Sequence, residues 1–392
     1  MQISLEAIAQ EGYLFPIHLS HDSLHTLTMA AVSSRIKVLD GGMGTTLEQL
    51  GADVSTPLWG CDLLQTNPEV IRSVYSQFSQ AGADLIQTAT YQLTLPGLCA
   101  HTKLDETAAG QVMRSAIPLA RNSTSTDRDD HTPHGTVLSI GPFGATLSPS
   151  QEYGGVYPAP YGPTSSSSNA FTDESARQEA ITALTQFHLS RLLTFSEDAE
   201  TWAQIEWIAF ETIPLLTEYA AVRRAMGEMH RLGKGRKFWI SSAWPQGHHP
   251  QQSGKGSGEY VSVREVVQAA LGGEEVPADA VGLNCTNPSF IKDLSERYTE
   301  AIVSLRKEGV VGGSDTTFVL YPDGGSVYDT VTRKWTLGDL DPSSWGRQVS
   351  AVARGVEEKE EGGKKVWSGV IVGGCCKAGF EEIQSLSSAL RQ

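Results

Sequence analysis

Short apolar runs rich in β-branched and aromatic residues recur along the chain, separated by longer stretches in which apolar residues return every three or four positions. The first run, Arg35-Ile36-Lys37-Val38-Leu39-Asp40, enters the glycine turn Gly41-Gly42-Met43-Gly44. The others are 84–88, 136–140, 207–210, 238–241, 280–283, 317–320 and 369–372, so the pattern predicts eight strands. A helix is announced after the first of them: Asn67 stands at the cap, Pro68 at the first helical position, and Val70, Ile71, Val74, Phe78 and Ala81 share one face before Gly82 stops it. Further helical periodicity covers 174–195, 215–230, 289–307 and 380–390. Strands that alternate with helices predict a parallel sheet. Eight such units favour an α/β fold of the closed (β/α)8 TIM barrel type, since open doubly wound sheets usually use five or six strands.

The barrel is assigned to residues 35–392 as a single domain, behind an N-terminal extension, 1–34, that carries no clear signal. Polar or glycine-rich segments at 122–135, 163–169, 246–258 and 357–365 read as loop insertions, and His248-His249 within the third reads as solvated. The chain has 392 residues, longer than the roughly 250 of a plain barrel, which leaves room for these insertions. Its formal net charge of −15, with no stripe of Lys and Arg, argues against a nucleic-acid partner. No run approaches the roughly 20 apolar residues of a membrane span, and Glu6, Glu11 and Asp22 are unlike a secretion signal, so a cytoplasmic protein is expected. Five cysteines at irregular spacing do not form a disulfide framework, and reduced thiols are the expectation. Nothing in the pattern sets an oligomeric state.

In a barrel the chemistry stands at the C-terminal ends of the strands. Those ends carry Asp40, Glu211, Cys285 and the sequence Gly373-Gly374-Cys375-Cys376. Cys61 and Cys99 read as small core hydrophobes. For Cys375-Cys376 the alternatives are core packing, a disulfide between neighbours, and metal ligation, of which ligation is preferred. Consecutive strand residues point to opposite faces, so both sulfurs reach one ion only where the backbone turns, and Gly373-Gly374 permits a turn. Cys285 then adds a third ligand from across the barrel. Three thiolates suit one zinc ion whose fourth position stays open, and such a site would deprotonate an incoming thiol.

The chain resembles the homocysteine S-methyltransferase family from about Val38 to Leu390. The resemblance is carried by Leu39-Asp40-Gly41-Gly42-Met43-Gly44-Thr45, Trp59, Asn67-Pro68, Ala81-Gly82-Ala83-Asp84, Thr88-Ala89-Thr90-Tyr91-Gln92, Gly141-Pro142 and Phe210-Glu211-Thr212. Its most specific parts are Gly282-Leu283-Asn284-Cys285 and Gly373-Gly374-Cys375-Cys376. It implies zinc-dependent methyl transfer from S-methylmethionine or S-adenosylmethionine to L-homocysteine, giving L-methionine, with no cobalamin. By position it implies Cys285, Cys375 and Cys376 as zinc ligands, and Asp40, Gly41, Gly42, Glu211 and Asn284 around homocysteine. Glu152 and Tyr153, with Tyr157 beyond them, resemble the segment on the donor side, where an aromatic face suits a sulfonium cation. One departure is Tyr321-Pro322-Asp323, since relatives commonly have Asn at the third position. Two rival readings stay open: a phosphate-binding barrel in which Gly373-Gly374 cradles the phosphate, and a zinc- or thiol-binding module without turnover. A hydrolase barrel is disfavoured because no strand carries a His-x-His pair.

Overall fold

The computed structural model describes residues 35–392 apart from 124–133, 164–167, 255–257, 314, 326, 330–333 and 337–339. The proposed extension, 1–34, lies outside the described residues, as do parts of the insertions at 122–135 and 163–169. The eight expected strands are present: β1 Ile36–Val38, β2 Leu85–Gln87, β3 Gly135–Ile140, β4 Ile205–Phe210, β5 Lys237–Ser242, β6 Ala280–Asn284, β7 Thr317–Tyr321 and β8 Val370–Val372. They form one parallel sheet in the order β1-β8-β7-β6-β5-β4-β3-β2. The ends of that order meet where Leu39 bridges Leu85 and the Asp40 N–H donates to the Leu85 carbonyl at 3.1 Å, so the sheet closes into a (β/α)8 barrel.

Each strand is followed by a helix: α1 Pro68–Gln80, α2 Glu106–Arg121, α3 Glu174–Phe195, α4 Leu216–Arg231, α5 Val263–Leu271, α6 Ile291–Lys307, α7 Pro342–Glu357 and α8 Phe380–Arg391. Strand alternation sorts the core into two parts. Val137, Trp207, Ala209, Trp239, Ala280, Val319 and Tyr321 fill the barrel, while Ile208, Phe210, Phe238 and Ile240 pack outward against the helices.

Several details depart from expectation. Asn67 occupies the cap of α1 but its side chain makes no capping bond, so Pro68, with Glu69 in the first turn, supplies the start signal. Helices α2, α5 and α7 were not read from periodicity, yet each opens on a side chain that accepts a backbone N–H: Asp105, Ser262 and Asp341. The insertion at 357–365 is a small hairpin, Glu360–Glu361 against Lys364–Lys365. The 246–258 insertion is tied down by pairing of Gln252 with Tyr260. Within it His249 is fully buried, edge-on to Trp244 with ring centroids 5.3 Å apart, which corrects the solvated reading. Its loop folds back over the barrel, and burial lowers the imidazole pKa to about 3. Among the described residues no helix is long and apolar enough to cross a membrane.

Candidate metal centre

The strand ends surround a cavity of about 270 Å³ whose wall includes Gly41, Gly42, Gln87, Tyr91, Ser139, Glu152, Tyr153, Glu211, Thr212, Tyr321, Cys285, Cys375 and Cys376. The three sulfurs all lie within 4.8 Å of one another. Cys285 and Cys375 are joined in a disulfide, with their Cα atoms 5.3 Å apart, and Cys376 is free. The expectation of reduced thiols therefore fails at this pair. The turns after β6 and β8 lean together across the end of β7, bringing the Cα atoms within disulfide range. The adjacent residues Cys375 and Cys376 are not bonded to each other.

Local backbone accounts for this convergence. Cys285 leaves β6 with φ +43°, in the left-handed region that costs a non-glycine residue roughly 1–2 kcal/mol. Its N–H is held by the Tyr321 carbonyl at 3.1 Å. After β8 the N–H groups of Gly373, Gly374 and Cys375 donate to the carbonyls of Leu320, Asp40 and Pro322 at 3.0, 3.0 and 2.7 Å. These amides are already used, so they do not form the phosphate cradle of the rival reading. The two glycines are required for close approach and not for an unusual φ: a Cβ at Gly373 would stand 2.7 Å from the Asp40 carbonyl oxygen, and one at Gly374 would stand 2.4 Å from Ala378 Cβ. The left-handed turn comes later, at Lys377, with φ +62° and its N–H on Thr45 Oγ1 at 2.9 Å.

Once reduced, the sulfurs fit a single soft cation. A Zn–S bond of about 2.3 Å sets tetrahedral sulfurs roughly 3.8 Å apart, so Cys285 and Cys375 must part from their disulfide contact, while all three sulfurs already lie within 4.8 Å of one another. Among the described residues this is the one cluster of His, Cys, Asp or Glu able to hold a metal ion.

Two carboxylates lie beside the thiols. Glu211 Oε1 accepts hydrogen bonds from Gln87 Nε2 at 3.0 Å and from Ser139 Oγ. Asp40 sits one layer behind the wall, 1% exposed, where Oδ2 accepts from the Gln87 N–H at 2.8 Å and Oδ1 has no hydrogen-bond partner. Burial raises the pKa of both above the usual carboxylate range, and for Asp40 the charge on Glu211 raises it further. Paired, buried carboxylates with an unmet acceptor form a setting that a cation stabilises.

The remaining residues singled out in the sequence are placed as follows. Glu152 and Tyr153 line the cavity on the loop after β3, and burial raises the pKa of each. The Gly42 N–H is engaged by the Ala378 carbonyl at 3.0 Å. Asn284 is fully buried and turned away from the cavity: its Oδ1 accepts from the Thr212 N–H and from Ser241 Oγ, both at 2.9 Å, and its Nδ2 donates to Thr212 Oγ1 at 2.7 Å. It thereby holds Thr212, another left-handed residue with φ +61°, on the wall. Asp323 Oδ1 accepts the Gly325 N–H at 2.8 Å in the turn after β7, a bond that an Asn oxygen would make equally well. Gln87, Ser139, Ser241 and Arg191 also support the site, and no motif in the sequence marks them. The Arg191 guanidinium donates to the carbonyls of Tyr91, Leu93 and Gly141 at 2.8, 3.1 and 2.7 Å, fixing the loop that carries Tyr91.

A closed (β/α)8 barrel that gathers three cysteine sulfurs beside two buried carboxylates at its mouth defines an enzyme scaffold with a candidate metal site. Comparison with known proteins narrows the class. The family model for homocysteine S-methyltransferase matches residues 37–390, so the chain belongs to that family and is a methyltransferase. Homocysteine S-methyltransferase 1 of Zea mays is 29% identical over 363 residues, covering 90% of this chain and 94% of the relative. The homocysteine methyltransferase MmuM from Escherichia coli shares the fold in crystal structures of two forms. Its oxidized form superposes with a TM-score of 0.60 at 23% identity, covering 92% of this chain and 98% of that one. Its metallated form gives a TM-score of 0.59 at the same identity, covering 93% and 99%.

Proposed function

We propose that this protein transfers a methyl group from a sulfonium donor, S-methylmethionine or S-adenosylmethionine, to the thiol of L-homocysteine, using one zinc ion held by Cys285, Cys375 and Cys376. The observation that carries the reading is the placement of three mutually adjacent sulfurs on the cavity wall that also holds Glu211. Bound there, zinc would lower the pKa of an incoming thiol, ordinarily about 8.5, so that it is present as the thiolate.

The chain's own residues do the remainder. Glu211, with Asp40 behind it, neutralises the homocysteine ammonium, and that cation in turn relieves the repulsion between two buried carboxylates. Because the Gly42 N–H is engaged, the amides that open the short helix Met43–Gln49 on the cavity wall are the better donors for the substrate carboxylate. Glu152 and Tyr153 face the sulfonium, one through charge and the other through its ring. The homocysteine sulfur attacks the methyl carbon in line, the bond from that carbon to the donor sulfur breaks, and a neutral thioether leaves with the electron pair. No proton moves at the carbon, so no general base is needed there, and catalysis rests on positioning and the exclusion of water. A cytoplasmic setting, which keeps thiols reduced, suits this site.

The test is methionine formation from homocysteine with each donor supplied separately, with and without a zinc chelator. Turnover with at least one donor that stops on chelation is expected, and Cys285→Ala should lose both zinc and activity. Full turnover by a variant retaining no zinc would overturn the mechanism.

A further inference from the structure

Before Glu152 and Tyr153 the loop after β3 makes a single 3-10 turn, Phe143–Thr146, and the part that carries them is fixed from two sides. On one side Glu218 of α4, fully buried, accepts the Phe143 N–H and the Tyr157 hydroxyl, each at 2.7 Å. On the other side stands Asn169, 5% exposed, at the end of the 163–169 insertion. Its Nδ2 donates to the Gly154 carbonyl at 2.7 Å and to the Pro250 carbonyl at 2.9 Å, and its Oδ1 accepts the Gln252 N–H at 2.8 Å. One amide thus joins three segments, two of them insertions without an evident task in the barrel.

The 249–252 segment is itself anchored to the framework. Gln251 Oε1 accepts the Leu216 N–H at the start of α4 at 2.7 Å, and its own N–H donates to His249 Nδ1 at 3.2 Å. His249 Nε2 in turn lies 3.3 Å from Ser242 Oγ at the end of β5. Beyond Asn169, the Gly154 and Gly155 N–H groups close a turn on the Gln151 carbonyl at 3.2 and 2.7 Å, with Glu152 and Tyr153 inside it. Gly155 has φ +64°, which fits the turn to glycine. A continuous set of hydrogen bonds therefore runs from the barrel framework, through the 249–252 segment and Asn169, to the turn that carries the two donor-side residues.

We propose that Asn169 is a positioning residue for the sulfonium donor: it locks the 151–155 turn to the folded 249–252 segment, and so sets where Glu152 and Tyr153 meet the cation. The inference rests on the methyl-transfer reading above. The site favours an amide, because two carbonyls need donors while one N–H needs an acceptor; the bond to Pro250 is buried and the other two are half-buried. Asp would keep the bond to Gln252 but present an acceptor to two carbonyls. Ala would leave all three groups unpaired.

Two readouts test it on the full chain loaded with zinc, in Asn169→Ala and Asn169→Asp. Both variants should raise the KM for the sulfonium donor by about tenfold while the KM for homocysteine stays within about twofold and the zinc content is unchanged. Backbone amide exchange at 151–156 should speed up in both. A purely structural residue would instead lower the amount of active enzyme, reducing kcat alike for both substrates without a donor-selective change. Equal changes in the two KM values, or unaltered amide exchange, would overturn the proposal. If the unsubstituted protein shows no methyl transfer but exchange at 151–156 still rises in the variants, the functional reading fails while the bracing by Asn169 stands.

Discussion

Replacing Glu211 by Gln separates its contact with a cation from its place in the fold, because the two respond with opposite sign. The amide keeps the size of the side chain and an oxygen that still accepts from Gln87 Nε2 and Ser139 Oγ. What it loses is charge. A hydrogen bond to a charged group contributes about 1.5–3 kcal/mol against about 0.5–1.5 for a neutral one. The difference, about 1–1.5 kcal/mol, corresponds to about a tenfold rise in the KM for homocysteine. Stability should move the other way. Burial raises the folded pKa of Glu211, so the folded protein holds a proton that the unfolded chain releases, and stability declines as pH rises above the unfolded value. Removing the charge removes that penalty. The Tm of Glu211→Gln at pH 7 should therefore match or exceed that of the unsubstituted protein, with the gap closing toward pH 4. Steady-state kinetics with varied homocysteine and scanning calorimetry at the two pH values check the pair of outcomes. An unchanged KM, or a Tm several degrees lower at pH 7, refutes the assignment of Glu211 to the substrate ammonium.

Three further outcomes follow from the site. Gly373→Ala places a Cβ 2.6 Å from Leu39 Cβ and 2.7 Å from the Asp40 carbonyl oxygen, so the turn bearing Cys375 and Cys376 must shift; the variant should bind well under one equivalent of zinc by metal analysis and have a lower Tm. Asp323 is pushed by burial from 3.8 up to about 6, so its ionisation costs stability as pH rises from about 4 to about 6. Asp323→Asn, which keeps an acceptor for the Gly325 N–H, should flatten that part of the Tm profile, and parallel profiles would count against it. Thiol titration of protein in the disulfide form, denatured without reductant, should find Cys61, Cys99 and Cys376 only; after reduction all five cysteines should react. Only the reduced protein should then take up zinc, and equal uptake by both forms would remove Cys285 and Cys375 from the ligand set.

The eight strands were legible because strands of a parallel barrel are buried on both faces and read as unbroken apolar runs, as at 207–210 and 318–320. Helices with broad polar faces were harder, and α2 carries Gly110 and Pro118 inside it, which weakened its periodicity. The thiols stood out because two adjacent cysteines after two glycines have few uses. The polar residues that support the carboxylates did not. Gln87, Ser139 and Ser241 are small or neutral polar residues near the ends of apolar strands, and only closure of the barrel shows that they face inward toward Glu211 and Tyr321. The polar composition of 246–258 suggested solvent, and the burial of His249 depends on Trp244, Ser242 and Gln251 meeting around it, which no local pattern encodes.

Asp40 joins tasks that barrels often keep apart. Its N–H reaches Leu85 across the seam between first and second strands, its carbonyl receives Gly374 from the last, and its carboxylate stands beside Glu211. The half of the mouth proposed to hold the thiol substrate is thus also the weld that shuts the cylinder, whereas Glu152 and Tyr153 hang from insertions outside it. Divergence among descendants of such a chain is then unequal on the two sides: loops can be rebuilt around a new methyl source while the architecture persists, but altering the acceptor means reopening the barrel.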